Sequence, residues 1–291
     1  MKYCVRHKTA YHYAEPASLS QNELYLLPRE TGTQKVIESG VSIVPPPQYL
    51  HRRTDYFGNN VHIFMVQHPH RELAITADSL VETTCPVTPP PDQTPAWESV
   101  VQQLAAHADP ALLEPCQFVF ASPLIEPTDG SRAYAHTSFP PGRPLLAGAL
   151  DLMARIFTEF TYDKGATTVD TSVDQVLTNR KGVCQDFAHL AIGGLRSLGL
   201  AARYVSGYLE TTPPPGKPKL TGADASHAWV SLFVPGHGWI DLDPTNNLIP
   251  GEAHITVAWG RDYGDVTPVK GVVMGGGTHT LSVTVDVKKQ V

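Results

Sequence analysis

The chain has 291 residues, 42% hydrophobic and 17% charged, with 22 basic and 28 acidic side chains and a formal net charge of −6. That balance suits a globular protein of one to three domains and offers no basic surface to nucleic acid or an anionic membrane. No apolar run reaches membrane-spanning length, the opening MKYCVRHKTAYHY has no signal-like apolar core, and four scattered cysteines make no disulfide framework, so a cytoplasmic setting with reduced thiols is expected.

Residues 1–84 read as short strands between turns: YCVRHKTAYHY, KVIESGVSIVP, YFGNNVHIFMV and RELAITADSLVET, together an N-terminal β-sandwich. His68 and His70 sit on a turn without a carboxylate partner, which points to solvated side chains rather than a metal site. Residues 85–143 read as a proline-rich linker and an irregular segment, with one helix in AWESVVQQLAAHA. A stronger helix follows in PLLAGALDLMARIFTEF, with Leu146, Leu150, Met153, Phe157 and Phe160 on one face. Ser172 and Gln175 form a possible capping box.

In NRKGVCQDFAHLAIGGLRSLGL, apolar or small residues recur at Phe187, Leu190, Ala191, Gly194, Leu195 and Leu198, and Gly199 is placed to end a helix. LAARYVSGYLE then reads as a strand, TTPPPGKPK as an exposed loop, and SHAWVSLFVPGHGWIDLDPT as a hairpin. Helices first and antiparallel strands after give an α+β order, with residues 144–278 as one core. The final THTLSVTVDVKK alternates Leu281, Val283, Val285 and Val287 with polar residues, a half-buried strand that cannot stand alone. The expectation is that residues 279–288 pair with the N-terminal β domain and complete it.

The helix that ends at Gly199 puts Cys184 in its first turn, where unpaired N–H groups and the macrodipole favour a thiolate. A small buried core residue would fit the same position. A thiol nucleophile also needs a base and an orienter. His189 is five positions along the same helix and points elsewhere. His227 interrupts an apolar strand, which is costly unless its ring has partners. Asp243 can be that partner if the hairpin loop is odd-numbered, such as Pro235 to His237 with Val234 opposite Gly238; His227 and Asp243 then share a face. An even-numbered loop sends Asp243 to the other face.

RKGVCQDFAHL, GLAARYVSGYL and SHAWVSLFVPGHGWIDLDPT resemble the transglutaminase-like superfamily, in the bacterial branch described as cysteine proteases. YHYAEPASLSQNELYLLPRE and DYFGNNVHIF resemble the β domain that accompanies this branch, and VAWGRDYGDVTPVKGV its C-terminal segment. The resemblance implies a papain-like core, a Cys-bearing helix packed on an antiparallel sheet. It implies Cys184 as nucleophile, His227 as base and acid, and Asp243 as orienter. Tyr162 matches an aromatic position upstream of the cysteine and is a candidate oxyanion donor. Asp186, Asp224, Arg261, Asp262 and Tyr263 fit family blocks and are candidates for lining the cleft.

The reaction implied is thiolate attack on an amide of a peptide or protein, through a thioester. Hydrolysis is favoured over transfer to an amine, because no water-excluding tunnel is evident. A protein-binding module that keeps the three residues structurally is the opposing class. A zinc site on Cys184, His227 and Asp243 is disfavoured by the helix-start position. No cofactor is expected, and no D-x-D-x-D-G loop suggests calcium.

Overall fold

The computed structural model describes residues 1–211 and 225–290. The first strand, β1 (Lys2–Leu24), is long enough to serve two half-sheets. It is followed by β2 (Gln34–Val44), β3 (Tyr49–Thr54), β4 (Asn60–Val66) and β5 (His70–Thr83). The first half of β1 pairs with β5, which carries β2 on its far side; the second half pairs with β4, which carries β3. Pairing with β5 loses register between His12 and Ala17, an irregularity that lets β1 turn from one half to the other. The sandwich is therefore one continuous hydrogen-bonded sheet folded on itself. Phe64 and Val66 of β4 face Leu73, Ile75 and Ala77 of β5 inside it.

The two last strands close this unit. β12 (Val269–Gly275) lies antiparallel to the second half of β1, and β13 (His279–Gln290) to the first, over Lys2–Tyr13. The chain thus ends on the strand where it begins. Only Val285 and Val287 of the alternating apolar set are buried; Leu281 and Val283 lie beyond the covered part of the sheet and stay exposed.

His70, expected as solvated, is buried instead. Its two ring nitrogens are taken by the Ser20 hydroxyl (2.8 Å) and the His68 carbonyl (2.8 Å), which removes the cost of burying the ring.

Residues 85–143 carry α1 (Trp97–Ala106), the single turn α2 (Leu113–Cys116) and α3 (Asp129–His136). They pack as part of the core: Phe118, Ile125, Tyr134, Ala135 and Phe139 are all buried. Next come α4 (Leu145–Glu159), the two-residue strand β6 (Thr161–Tyr162), α5 (Val173–Asn179) and the two-residue strand β7 (Lys181–Gly182). On α4 Leu146 and Met153 of the expected face are buried, as is Phe160 at its end, but Phe157 is exposed, and the buried surface widens to include Leu145, Ala149, Leu152 and Ile156. Ser172 and Gln175 cap α5 reciprocally.

The central helix α6 (Cys184–Ser197) is buried on every side from Asp186 to Arg196. A Cβ on Gly194 would come within 2.9 Å of the Ala135 methyl, so small residues let α3 and α6 lie close. Gly199, at φ +84, ends the helix as expected. Arg196 is buried but satisfied, donating to the carbonyls of Phe118, Ala202 and Arg261 and to the Ser122 hydroxyl.

Strands β8 (Ala202–Leu209), β9 (Ala225–Val234), β10 (Gly238–Leu242) and β11 (His254–Gly260) form an antiparallel sheet in the order β10-β9-β8-β11, against which α6 packs. The two units meet along β11. The Gln34 side chain bonds the Thr256 carbonyl and amide, and Asn59 does the same for Trp259. Arg29 and Arg203 stack on the Trp259 ring. No helix among the described residues is long and apolar enough to cross a membrane.

Candidate active site

The chain just before the cysteine is fixed by backbone pairing. β6 lies parallel to β7, so Thr161 and Tyr162 run beside Lys181 and Gly182. Gly182 is required there: a Cβ would sit 2.7 Å from Cβ of Asp186. Asp186 is buried beneath the helix start. Its Oδ2 accepts from the Val183 amide (2.7 Å) and the Thr167 hydroxyl (2.6 Å). Burial pushes the Asp186 carboxyl up, and these two bonds pull against that. Its role in the geometry is to clamp the turn that presents Cys184. The thiol then stands at the first position of α6, partly exposed, at the positive end of a 14-residue helix.

The histidine and the aspartate come from the hairpin. Val234 pairs with Gly238, so the loop is Pro235 to His237. This is the odd-numbered loop that the shared face requires. His227 Nε2 lies 2.7 Å from Asp243 Oδ2. With Nε2 committed to Asp243, Nδ1 is the ring nitrogen left for Cys184. Burial pushes the His227 pKa down, but the bonds and charges of Asp243 and Cys184 outweigh it and push it up to about 10. The imidazolium form of this ring is therefore favoured.

Asp243 is fully buried, and its two oxygens are surrounded by donors. Oδ1 accepts from the amides of Thr245 (3.0 Å) and Asn246 (3.2 Å). Oδ2 accepts from His227, from Asn246 Nδ2 (2.7 Å) and from His254 Nε2 (3.1 Å). Burial raises this carboxyl, yet the bonds from His227, His254 and Asn246 hold it well below the ordinary carboxylate range. Hydrogen bonds to an ionised group contribute about 1.5–3 kcal/mol each, enough in this number to offset the burial of the charge.

The sheet supports the pair from below. Trp229 follows His227 on the same face, and its indole N–H donates to Asp241 (2.9 Å). Opposite His227 on β8 stands Gly207, where a Cβ would come within 2.4 Å of the Trp229 ring and 2.3 Å of the Ile255 carbonyl. A glycine is thus what admits the indole.

Tyr162 is half exposed, edge-on to Phe187 (6.4 Å between centroids). Burial raises its phenol pKa, and the charges of Cys184 and Asp186 add to the rise; its backbone pairs with Gly182, two residues before the cysteine. The other candidates are committed elsewhere. Arg261 forks onto Asp265 at 2.8 and 2.9 Å. Asp262 accepts from the amides of Leu124 and Gly264. The Tyr263 amide donates to buried His189 (3.2 Å). These bonds brace the loop after β11 against α6. Asp224 and most of the loop TTPPPGKPK lie outside the described residues.

His254 and Asn246 were not singled out by the sequence, although both touch Asp243. The signal for His254 was available: AHITVAWG, like SHAWVSLFV, spends a strand position on an imidazole. His227, Asp243 and His254 place one ligand atom each within 4.8 Å of one another, a set that could hold a metal. Zinc ligands at about 2.0–2.1 Å from the ion would stand roughly 3.3 Å apart. The 2.7 Å between His227 and Asp243 is instead the spacing of a shared proton.

Residues 3–82 match the bacterial transglutaminase-like N-terminal region, and residues 133–244 match the transglutaminase-like superfamily. The uncharacterised protein Rv2569c of Mycobacterium tuberculosis is 41% identical over 98% of this chain and 92% of its own length. ML0607 of Mycobacterium leprae is 34% identical over 98% of each chain. A Pseudomonas aeruginosa protein-glutamine gamma-glutamyltransferase is 34% identical over 31% of this chain and 14% of its own length. Among solved structures, the "Putative Cysteine Protease" from Cytophaga hutchinsonii superposes with a TM-score of 0.76 over 99% of this chain and 90% of that one, at 20% identity.

Proposed function

Given that the chain belongs to the transglutaminase-like superfamily, we propose that it is a thiol-dependent acyl-transfer enzyme acting on amide bonds of peptides or proteins, and that it is hydrolytic. Cys184 is the nucleophile. His227 takes the thiol proton and returns it to the leaving amine, and Asp243 orients the ring and stabilises its charged form. The thioester is then hydrolysed, with His227 acting as base toward water. The Cys184 amide at the start of α6 and the Tyr162 hydroxyl are the candidate oxyanion donors.

The observation that carries this reading is the bonded pair His227–Asp243, whose imidazole pKa is raised to about 10 by the carboxylate and by the charge of Cys184. Transfer to an amine is the second reading, favoured by the partial likeness to a gamma-glutamyltransferase. A mixed peptide pool analysed by mass spectrometry, with and without a primary amine, separates the two. Cleavage or a deamidation mass shift lost in Cys184→Ala supports hydrolysis; amine incorporation supports transfer. If wild type and Cys184→Ala leave the same products, neither reading stands.

A further inference from the structure

His254 lies eleven residues beyond Asp243, on a different strand, yet its Nε2 reaches the same carboxylate oxygen as His227. The ring is buried, and Nδ1 has no hydrogen-bond partner among the described residues. Facing an ionised oxygen at 3.1 Å, Nε2 must carry the proton; a bare Nε2 would set a lone pair against a carboxylate. The ring is flanked on one side by an indole. Trp229 stands edge-on to it, 5.3 Å between centroids and 88° between planes, and Trp229 is itself pinned by Asp241.

The groups that face His254 are Trp229 and His227 from β9 and Asp243 after β10; Asn246, in the turn that follows, bonds the same Asp243 oxygen. Of these, only His227 and His254 are imidazoles, and they converge on one acceptor from opposite strands of the sheet. The Thr245 and Asn246 amides and the Asn246 side chain hold the carboxylate from its own turn, whereas His254 reaches it from a separate strand, β11.

Resting on the proposed thiol chemistry, we infer that His254 is a positioning residue: its Nε2–H locks the Asp243 carboxylate in the orientation that holds His227 toward Cys184. His254 touches neither thiol nor substrate and acts only through Asp243. The chemistry is that of an outer partner that fixes the tautomer and aim of a histidine inside it.

The test needs no substrate. Iodoacetamide labelling at pH 7, read peptide by peptide, gives the rate at Cys184 with exposed Cys85 as internal reference. His254→Leu is expected to slow Cys184 by about 10- to 100-fold, the effect of losing one hydrogen bond to a buried charge, while Cys85 is unchanged. His254→Gln, which keeps an N–H donor, is expected to restore most of the rate. In an Asp243→Asn background, His254→Leu should add little, because the group it acts through is already altered. The inference is overturned if His254→Leu reacts at the wild-type rate, if the glutamine gives no rescue, or if the loss is undiminished beside Asp243→Asn. If His254→Leu does not fold, the imidazole nitrogen NMR spectrum of the wild type decides: protonated Nε2 on His254 supports the inference, and bare Nε2 contradicts it. Wild-type Cys184 reacting no faster than Cys85 would instead remove the thiol chemistry itself.

Discussion

In the proposed mechanism Cys184, His227 and Asp243 share one proton path, and each is expected to fail differently when removed. Cys184→Ala deletes the bond-making atom and few packing atoms, so activity should vanish while the melting temperature changes little. His227→Ala should be as inactive. Asp243→Asn should lower turnover by about 10⁴-fold, the size of the loss when a related triad loses its orienter. Turnover on the identified peptide substrate, with circular dichroism to verify folding, checks the order. The pair also ties stability to pH. His227 is raised above its unfolded value of about 6.5, so its contribution is complete below that pH and is lost as pH rises toward about 10. Asp243 is depressed, so its contribution holds above about pH 4 and is lost on acidification. The stability gained from the pair should be greatest near pH 4–6.5. Melting curves from pH 5 to 10 should show an alkaline fall in wild type that flattens in His227→Gln.

At the scale of elements, the site depends on a helix start and a hairpin register. Gly182→Ala should push Asp186 away from the Val183 amide and misplace the cysteine; a loss of one to a few kcal/mol in stability is expected from a forced shift in a packed region. Chemical denaturation measures it, and an unchanged midpoint would contradict the fixed geometry of that turn. Inserting one residue between Pro235 and His237 should turn Asp243 away from His227 and abolish labelling of Cys184 above background, with α6 intact. Much of this was legible beforehand. Helical periodicity after Phe187, the Gly199 stop and the Ser172–Gln175 cap all follow from local chemistry. The hairpin parity was legible only as a condition, because Pro-Gly-His-Gly admits more than one register and backbone pairing decides between them. His254 escaped because nothing local says that a strand starting eleven residues later will pass beside Asp243. On α4 the expected face holds at Leu146 and Met153 and fails at Phe157 for a similar reason: two overlapping stripes exist on that helix, and packing against neighbours buries Leu152 and Ile156 as well.

For the whole molecule, the long first strand and the last two strands pair with one another beside the sheet that carries His227. β13 pairs with β1 from Lys2 to Tyr13, and Val285 and Val287 join the main core. Deleting residues 279–291 should therefore expose the N-terminal sheet to limited proteolysis while leaving the Cys–His–Asp set in place. Equal protease resistance of full-length and truncated protein would argue against this role. The seam along β11 works in the same sense. Gln34 and Asn59 each bond both an amide and a carbonyl of β11, the strand that also carries His254. The β unit thus supports the strand behind Asp243 as well as covering the sheet.

The account stands on Cys184 being an activated thiol, and its reactivity relative to the other cysteines measures that directly. Near neutral pH, iodoacetamide should label Cys184 faster than Cys85, although Cys85 is the more exposed, and His227→Ala should erase the difference. Cys184 labelled no faster than Cys85 in the folded wild-type protein, or equally fast with and without His227, would contradict it.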